Sequence, residues 1–208
     1  MRYFANPSTP KVREAMSAGL LDCIDTPKQG NKVPEGARWC ADNGCFGKGY
    51  PGDDKWWAWL EKHTARELCD FAVAPDVVAD ATATLERSTP WLSRIRGLGI
   101  PAAFVAQDGA ETVGVPWDEF DVLFIGGSTE WKLGGHARTL VAKAKRRGKG
   151  VHMGRVNSRR RLNYADAIGC DSADGTYLAF GPDINLPHVL GWLGHVNGHH
   201  QLFAMEES

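Results

Sequence analysis

The 208-residue sequence is predicted to fold as an α/β protein, a compact single-domain (β/α)8 barrel of the TIM type covering residues 1–208. Three observations lead there. Six short apolar runs, RWCADNG (38–44), CDFAVAPD (69–76), PAAFVAQD (101–108), VLFIGG (122–127), GVHMGRV (150–156) and GCDSADG (169–175), have the length and composition of buried strands. Each ends in an Asp, a Gln or a Gly-bearing cluster, and polar groups at the carboxyl ends of parallel strands converge on one barrel face. Helical patterns separate most of the runs, which argues for repeated parallel βαβ units.

The elements follow in order. YFANPS (3–8) and LLDCIDTP (20–27) supply two further strands and bring the total to eight. Between them TPKVREAMSAGL (9–20) opens with Thr and Pro, a sound N-cap and first-turn pair. DDKWWAWLEKH (53–63) and the following TARELC form the next helical stretch. VADATATLERSTPWLSRIRGLG (78–99) carries Pro90, which is expected to break it into two pieces. GHARTLVAKAKRRGKG (135–150) is amphipathic and ends in Lys and Arg, suiting its carboxyl-end dipole. SRRRLNYADAIG (158–169) caps on Ser158, and INLPHVLGWLGH (184–195) is the last helix. An open doubly wound sheet is the competing architecture, but no G-x-G-x-x-G follows the first strand. The chain is short for a closed barrel, which typically needs about 250 residues.

Composition narrows the function. A net charge of −1 gives the chain as a whole no polyanion-binding signature, so any nucleic-acid contact must come from a local basic patch. No apolar stretch approaches the roughly 20 residues of a membrane span, and MRYFANPSTP lacks a signal-peptide core, so a cytoplasmic protein without membrane contact is expected. The five cysteines, Cys23, Cys40, Cys45, Cys69 and Cys170, include no C-x-x-C pair and mostly sit in apolar runs, as buried hydrophobes do. His195, His199 and His200 lie close together in the tail, where a solvated end is the better reading; no metal and no cofactor is assigned.

Asp42 and Asp174 stand at strand ends beside glycines. An Asp in such a turn commonly caps backbone N–H groups, so neither is catalytic by position alone. Asp171 competes with Asp174, because residues three apart in a strand point to opposite faces. Two carboxylates in one site are what glycosyl transfer requires, one attacking the anomeric carbon and the other moving protons. Gln107 and Asp76 add an amide and a carboxylate able to read the Watson–Crick edge of a purine. Gly126 and Gly127 would leave backbone N–H groups open to a flat ligand or, in the competing reading, to a phosphate.

These segments resemble, in order and approximate spacing over about residues 38–176, the motifs of the tRNA-guanine transglycosylase family, and within it the small phage and bacterial branch that inserts 7-deazaguanines into DNA. The family's D-S-G-G-F-Q is similar to the segment Asp42 to Gly47, its V-Q-G-G to Val105 to Gly109, and its I-G-G-L to Ile125 to Ser128. Its L-M-G-V resembles the segment His152 to Val156 and its G-I-D-M-F-D-C the segment Gly169 to Gly175. The resemblance implies a barrel enzyme, a pentosyltransferase with Asp174 as nucleophile and Asp42 as acid/base. It implies Asp76, Gln107, Gly126 and Gly127 around the base, with Phe46 and Met153 sandwiching its ring. The family's tRNA-acting members carry a C-x-C-x-x-C-plus-His zinc site after the barrel; these cysteines are missing here, so no zinc subdomain is expected and DNA is favoured over tRNA. A base-releasing glycosylase and a non-catalytic nucleic-acid-binding paralogue are the alternatives.

The basic residues sort by position. Lys143, Lys145, Arg146, Arg147 and Lys149 close a helix and belong on the face opposite the site. Arg155, Arg159, Arg160 and Arg161 follow a strand at the catalytic face, where they would suit phosphates flanking an extruded nucleotide. Trp56, Trp57 and Trp59 are read as packing rather than base-stacking residues.

Overall fold

The computed structural model describes residues 1–30, 32–47, 49–63 and 67–206, with side chains as far as residue 198. Eight parallel strands close into a barrel: β1 (Arg2–Ala5), β2 (Asp22–Asp25), β3 (Trp39–Ala41), β4 (Cys69–Val73), β5 (Ala102–Ala106), β6 (Val122–Ile125), β7 (Gly150–Met153) and β8 (Ser172–Asp174). Closure is made by β8 against β1, with Arg2, Tyr3 and Phe4 opposite Ser172, Ala173 and Asp174. The outer layer comprises α1 (Pro10–Ser17), α2 (Asp53–His63), α3 (Ala81–Gly97), α4 (Ala110–Val113), α5 (Thr129–Lys132), α6 (Gly135–Arg146), α7 (Arg159–Ala167) and α8 (Pro182–Glu206). The chain closes a barrel within 208 residues because its links are short. Among the described residues no helix joins β2 to β3, and a single turn, α4, joins β5 to β6.

Caps predicted from the sequence are in place. The Thr9 hydroxyl accepts from the Val12 N–H and Ser158 from the Arg161 N–H, at 3.5 and 3.3 Å. Pro90 does not break α3. Both Pro90 and Glu86, whose carbonyl loses its helical partner, face solvent, while Thr89 Oγ1 bonds the neighbouring Leu85 carbonyl at 2.7 Å, so the gap is open to solvent and braced beside it. The tail GHVNGHH, read as a solvated end, continues α8; the side chains of His199 and His200 lie outside the described ones. The helical reading of TARELC falls on residues 64–66, which are outside the described residues, and Cys69 already opens β4.

Alternation along the strands separates two cores. Outward residues such as Trp39, Phe104, Leu123 and Met153 pack beneath the helices. Inward residues Phe4, Ile24, Cys40, Phe71, Val73, Ala103, Val105 and Phe124 fill the barrel. Each large side chain so buried contributes roughly 1.5–3 kcal/mol. The amino-end mouth is plugged by Arg2, paired with Asp22 at 2.7 Å and with Asp70, to which Arg38 also bonds. The opposite, carboxyl-end mouth is open. Among the described residues no helix is long and apolar enough to cross a membrane.

Candidate active site

A cavity of about 610 Å3 occupies the carboxyl-end mouth. Asp42, Asp76, Gln107, Gly126, Gly127 and Asp174 all line it, delivered by the ends of five strands or the links just beyond them. Asp171 is not among them. It lies at the amino end of β8, where its carboxylate meets Lys145 Nζ at 2.6 Å and the Val151 N–H at 2.8 Å. The choice between the two aspartates is thereby made by geometry: Asp174 faces the cavity.

Asp174 is held at both oxygens. Oδ1 accepts the Arg155 backbone N–H at 3.1 Å and Oδ2 accepts from His152 Nε2 at 2.9 Å. His152 is fully buried in the barrel centre, caged by the rings of Phe4, Phe71 and Phe124 at 5.5, 5.2 and 4.6 Å. Its Nδ1 lies 2.8 Å from Ser172 Oγ. Since a carboxylate can only accept, Nε2 carries a hydrogen, and Nδ1 is hydrogen-bonded to the Ser172 hydroxyl. His152 was missed in the sequence reading, although strand alternation pointed to it: Val151 and Met153 face out, so His152 and Gly154 face in.

Asp42 follows β3 in a tight turn, its Oδ1 accepting the Gly44 N–H at 2.8 Å. Burial, then the charges of Asp174 and Asp76, push its carboxyl up to about 7 against the opposing pull of that N–H. Gly44 is required there: its φ is +77°, and a Cβ would stand 3.1 Å from the Gly49 carbonyl carbon.

Asp76 and Gln107 belong to a buried polar chain. Asn43 Nδ2 donates to Asp76 Oδ1 at 2.8 Å and Gln107 Nε2 to Asp76 Oδ2 at 2.6 Å. Gln107 Oε1 accepts from the Gly127 and Ala79 N–H groups at 2.9 and 3.0 Å. Burial raises the Asp76 carboxyl, and the Asn43 and Gln107 donors work against that. Each Asp76 oxygen keeps an acceptor site and Gln107 Nε2 keeps a hydrogen, so an acidic acceptor and a donor remain for the edge of a base.

Three expectations change. The Gly126 and Gly127 N–H groups are not open to a ligand, because they bond the Ala106 carbonyl and Gln107 Oε1. These glycines supply space instead: a Cβ would stand 2.7 Å from Val105 Cγ1 on Gly126 and 2.6 Å from the Trp131 ring on Gly127. Met153 does not reach the cavity. It is fully buried among outward-facing residues, one position out of phase with the inward His152 and Gly154. Phe46, 63% exposed at the mouth, is covered instead by the Arg155 guanidinium, 4.2 Å above its ring. Finally, the arginines divide. Arg155 and Arg161 line the cavity, whereas Arg159 and Arg160 are exposed on the first turn of α7 outside it. Lys28, Asn157 and Thr176, which the sequence did not single out, line the polar side of the cavity.

The sequence matches no protein-family model and no curated protein. Similarity appears in three dimensions. A deoxyribose phosphate aldolase from Aeropyrum pernix superposes with a TM-score of 0.56 at 13% identity, over 86% of this chain and 85% of that one. An HpcH/HpaI aldolase from Desulfitobacterium hafniense gives 0.55 at 10% identity, over 90% and 91%. At such identities the likeness establishes the TIM-barrel fold, and function must be argued from the site itself.

Proposed function

We propose that the chain is an enzyme, a pentosyltransferase that exchanges guanine for a 7-deazaguanine in DNA by double displacement. One observation carries the reading: Asp42 and Asp174 share a cavity in unlike settings, one raised to about 7 and the other gripped by two N–H donors. In the first displacement an Asp174 oxygen bonds C1′ of an extruded nucleotide. The glycosidic bond breaks, its electron pair leaves with guanine, and Asp42 supplies the proton. In the second, Asp42 takes the N9 proton of the incoming 7-deazaguanine, N9 bonds C1′, and the Asp174 ester bond breaks. A group titrating near neutrality suits both proton transfers. Asp76 and Gln107 provide complementary contacts for the Watson–Crick edge, and Phe46 a stacking face. Arg155 and Arg161 suit the flanking phosphates.

The test is incubation with labelled guanine and either duplex DNA or tRNA. Label entering DNA alone is expected. Base release without uptake of label would make the protein a glycosylase, uptake by tRNA alone would change the substrate, and no base movement on either would overturn the reading.

A further inference from the structure

Lys132 is 1% exposed, sits on the one-turn helix α5, and forms no salt bridge among the described residues. Its ammonium donates to the Gly154 carbonyl at 2.6 Å. That carbonyl belongs to the same peptide group as the Arg155 N–H, which donates to Asp174 Oδ1 at 3.1 Å. One rigid peptide plane therefore has the Lys132 donor at its oxygen and the proposed nucleophile at its hydrogen. The plane is held in an unusual setting, since Arg155 has φ +60° without being glycine, a conformation that persists only where surrounding contacts impose it. Gly154 is needed beside it, because a Cβ there would stand 2.7 Å from the Phe124 ring and 3.4 Å from Asp174 Oδ2.

We infer that Lys132 is a positioning residue: by binding the Gly154 carbonyl it fixes and polarises the 154–155 peptide whose N–H orients Asp174 toward the substrate's C1′. The inference rests on the transglycosylase reading of Asp174. A hydrogen-bond donor on the oxygen of a peptide strengthens the donation of its N–H, as hydrogen bonds in series do in a low-dielectric interior. With His152 on Oδ2, this leaves the carboxylate one orientation. Burial, followed by the charge of Arg155, pushes the lysine down to about 7, so the position is costly for a cation and is not explained by stability. A residue kept for stability there would be apolar.

Lys132→Met keeps the stem and removes the donor. The variant is expected to melt no lower than the wild type. Hydrogen exchange at the Arg155 amide should accelerate, and the covalent species formed with a guanine-containing DNA duplex should appear about 10- to 100-fold more slowly, the loss of one hydrogen bond to a charged group. The KM for the duplex should stay within about threefold, since ground-state binding is untouched. Lys132→Arg, which keeps a cationic donor, should retain most of the rate. A Lys132→Met protein that fails to fold or melts lower would make the lysine a structural cation and overturn the inference. Unchanged Arg155 exchange, or an unchanged covalent step, would do the same. If the wild type itself forms no covalent species, the transglycosylase reading fails separately, and Arg155 exchange alone decides whether Lys132 sets that peptide.

Discussion

Replacing Asp42 with Asn removes one titration from the folded chain, and the site sets its size. Burial and the Asp174 charge raise this carboxyl from 3.8 to about 7, while the unfolded chain releases the proton near the ordinary value. Between those values the folded protein keeps a proton that the unfolded chain has lost, so stability falls as pH rises through the window. Below it both states are protonated and the contribution is fully present; above it both are ionised and it is gone. At about 1.4 kcal/mol per pH unit the window sets a ceiling of about 4 kcal/mol, which solvent in the open cavity reduces to about 2. Urea unfolding of the wild type and Asp42→Asn, from about pH 4 to about pH 8, isolates the effect. Asp76, also raised by burial, contributes a slope of the same sign to both proteins, so the difference between them is what reports Asp42. The variant should gain roughly 2–4 kcal/mol on the wild type across that range. A difference that stays flat would mean that Asp42 is not buried against Asp174 as described.

Two further outcomes follow from the same geometry. His152→Phe fits the aromatic cage but deletes the donor to Asp174 and strands the Ser172 hydroxyl, so single-turnover formation of the covalent species should slow by about 10- to 100-fold and stability should fall by roughly 2–5 kcal/mol. A rate equal to the wild type's would show that Asp174 needs no partner on Oδ2. Arg155→Ala with Arg161→Ala should lower the salt dependence of DNA binding by about two phosphate contacts, while Arg159→Ala with Arg160→Ala should change it less. Slopes equal to the wild type's in both double variants, measured by titration over a salt series, would place all four on the solvated surface.

The barrel was legible in the sequence because buried parallel strands are short apolar runs and their polar stops fall where the strands end. Asp42, Asp76, Gln107 and Asp174 stand out as strand-end groups for that reason, although only barrel closure separates Asp174 from Asp171. What escaped notice had a different cause in each case. Met153 was matched by motif, and a single-residue phase error exchanges the outer core for the barrel interior; the same phase hid His152. Pro90 was read by the general rule for proline, whereas a solvent-facing position and the Thr89 hydroxyl let α3 continue. Lys132 lies on α5, whose four residues are too few to show a helical period. The chain from Asn43 through Asp76 and Gln107 to Gly127 joins four strand ends that only closure of the barrel brings together.

The most direct measurement is a denaturing quench of the wild-type protein with a guanine-containing oligonucleotide, followed by peptide mapping of any protein–DNA adduct. An adduct on Asp174, absent from Asp174→Asn and retained in Asp171→Asn, is expected, because of these two only Asp174 faces the cavity. Exchange of base without an adduct, or an adduct that survives Asp174→Asn, would contradict a covalent Asp174 mechanism.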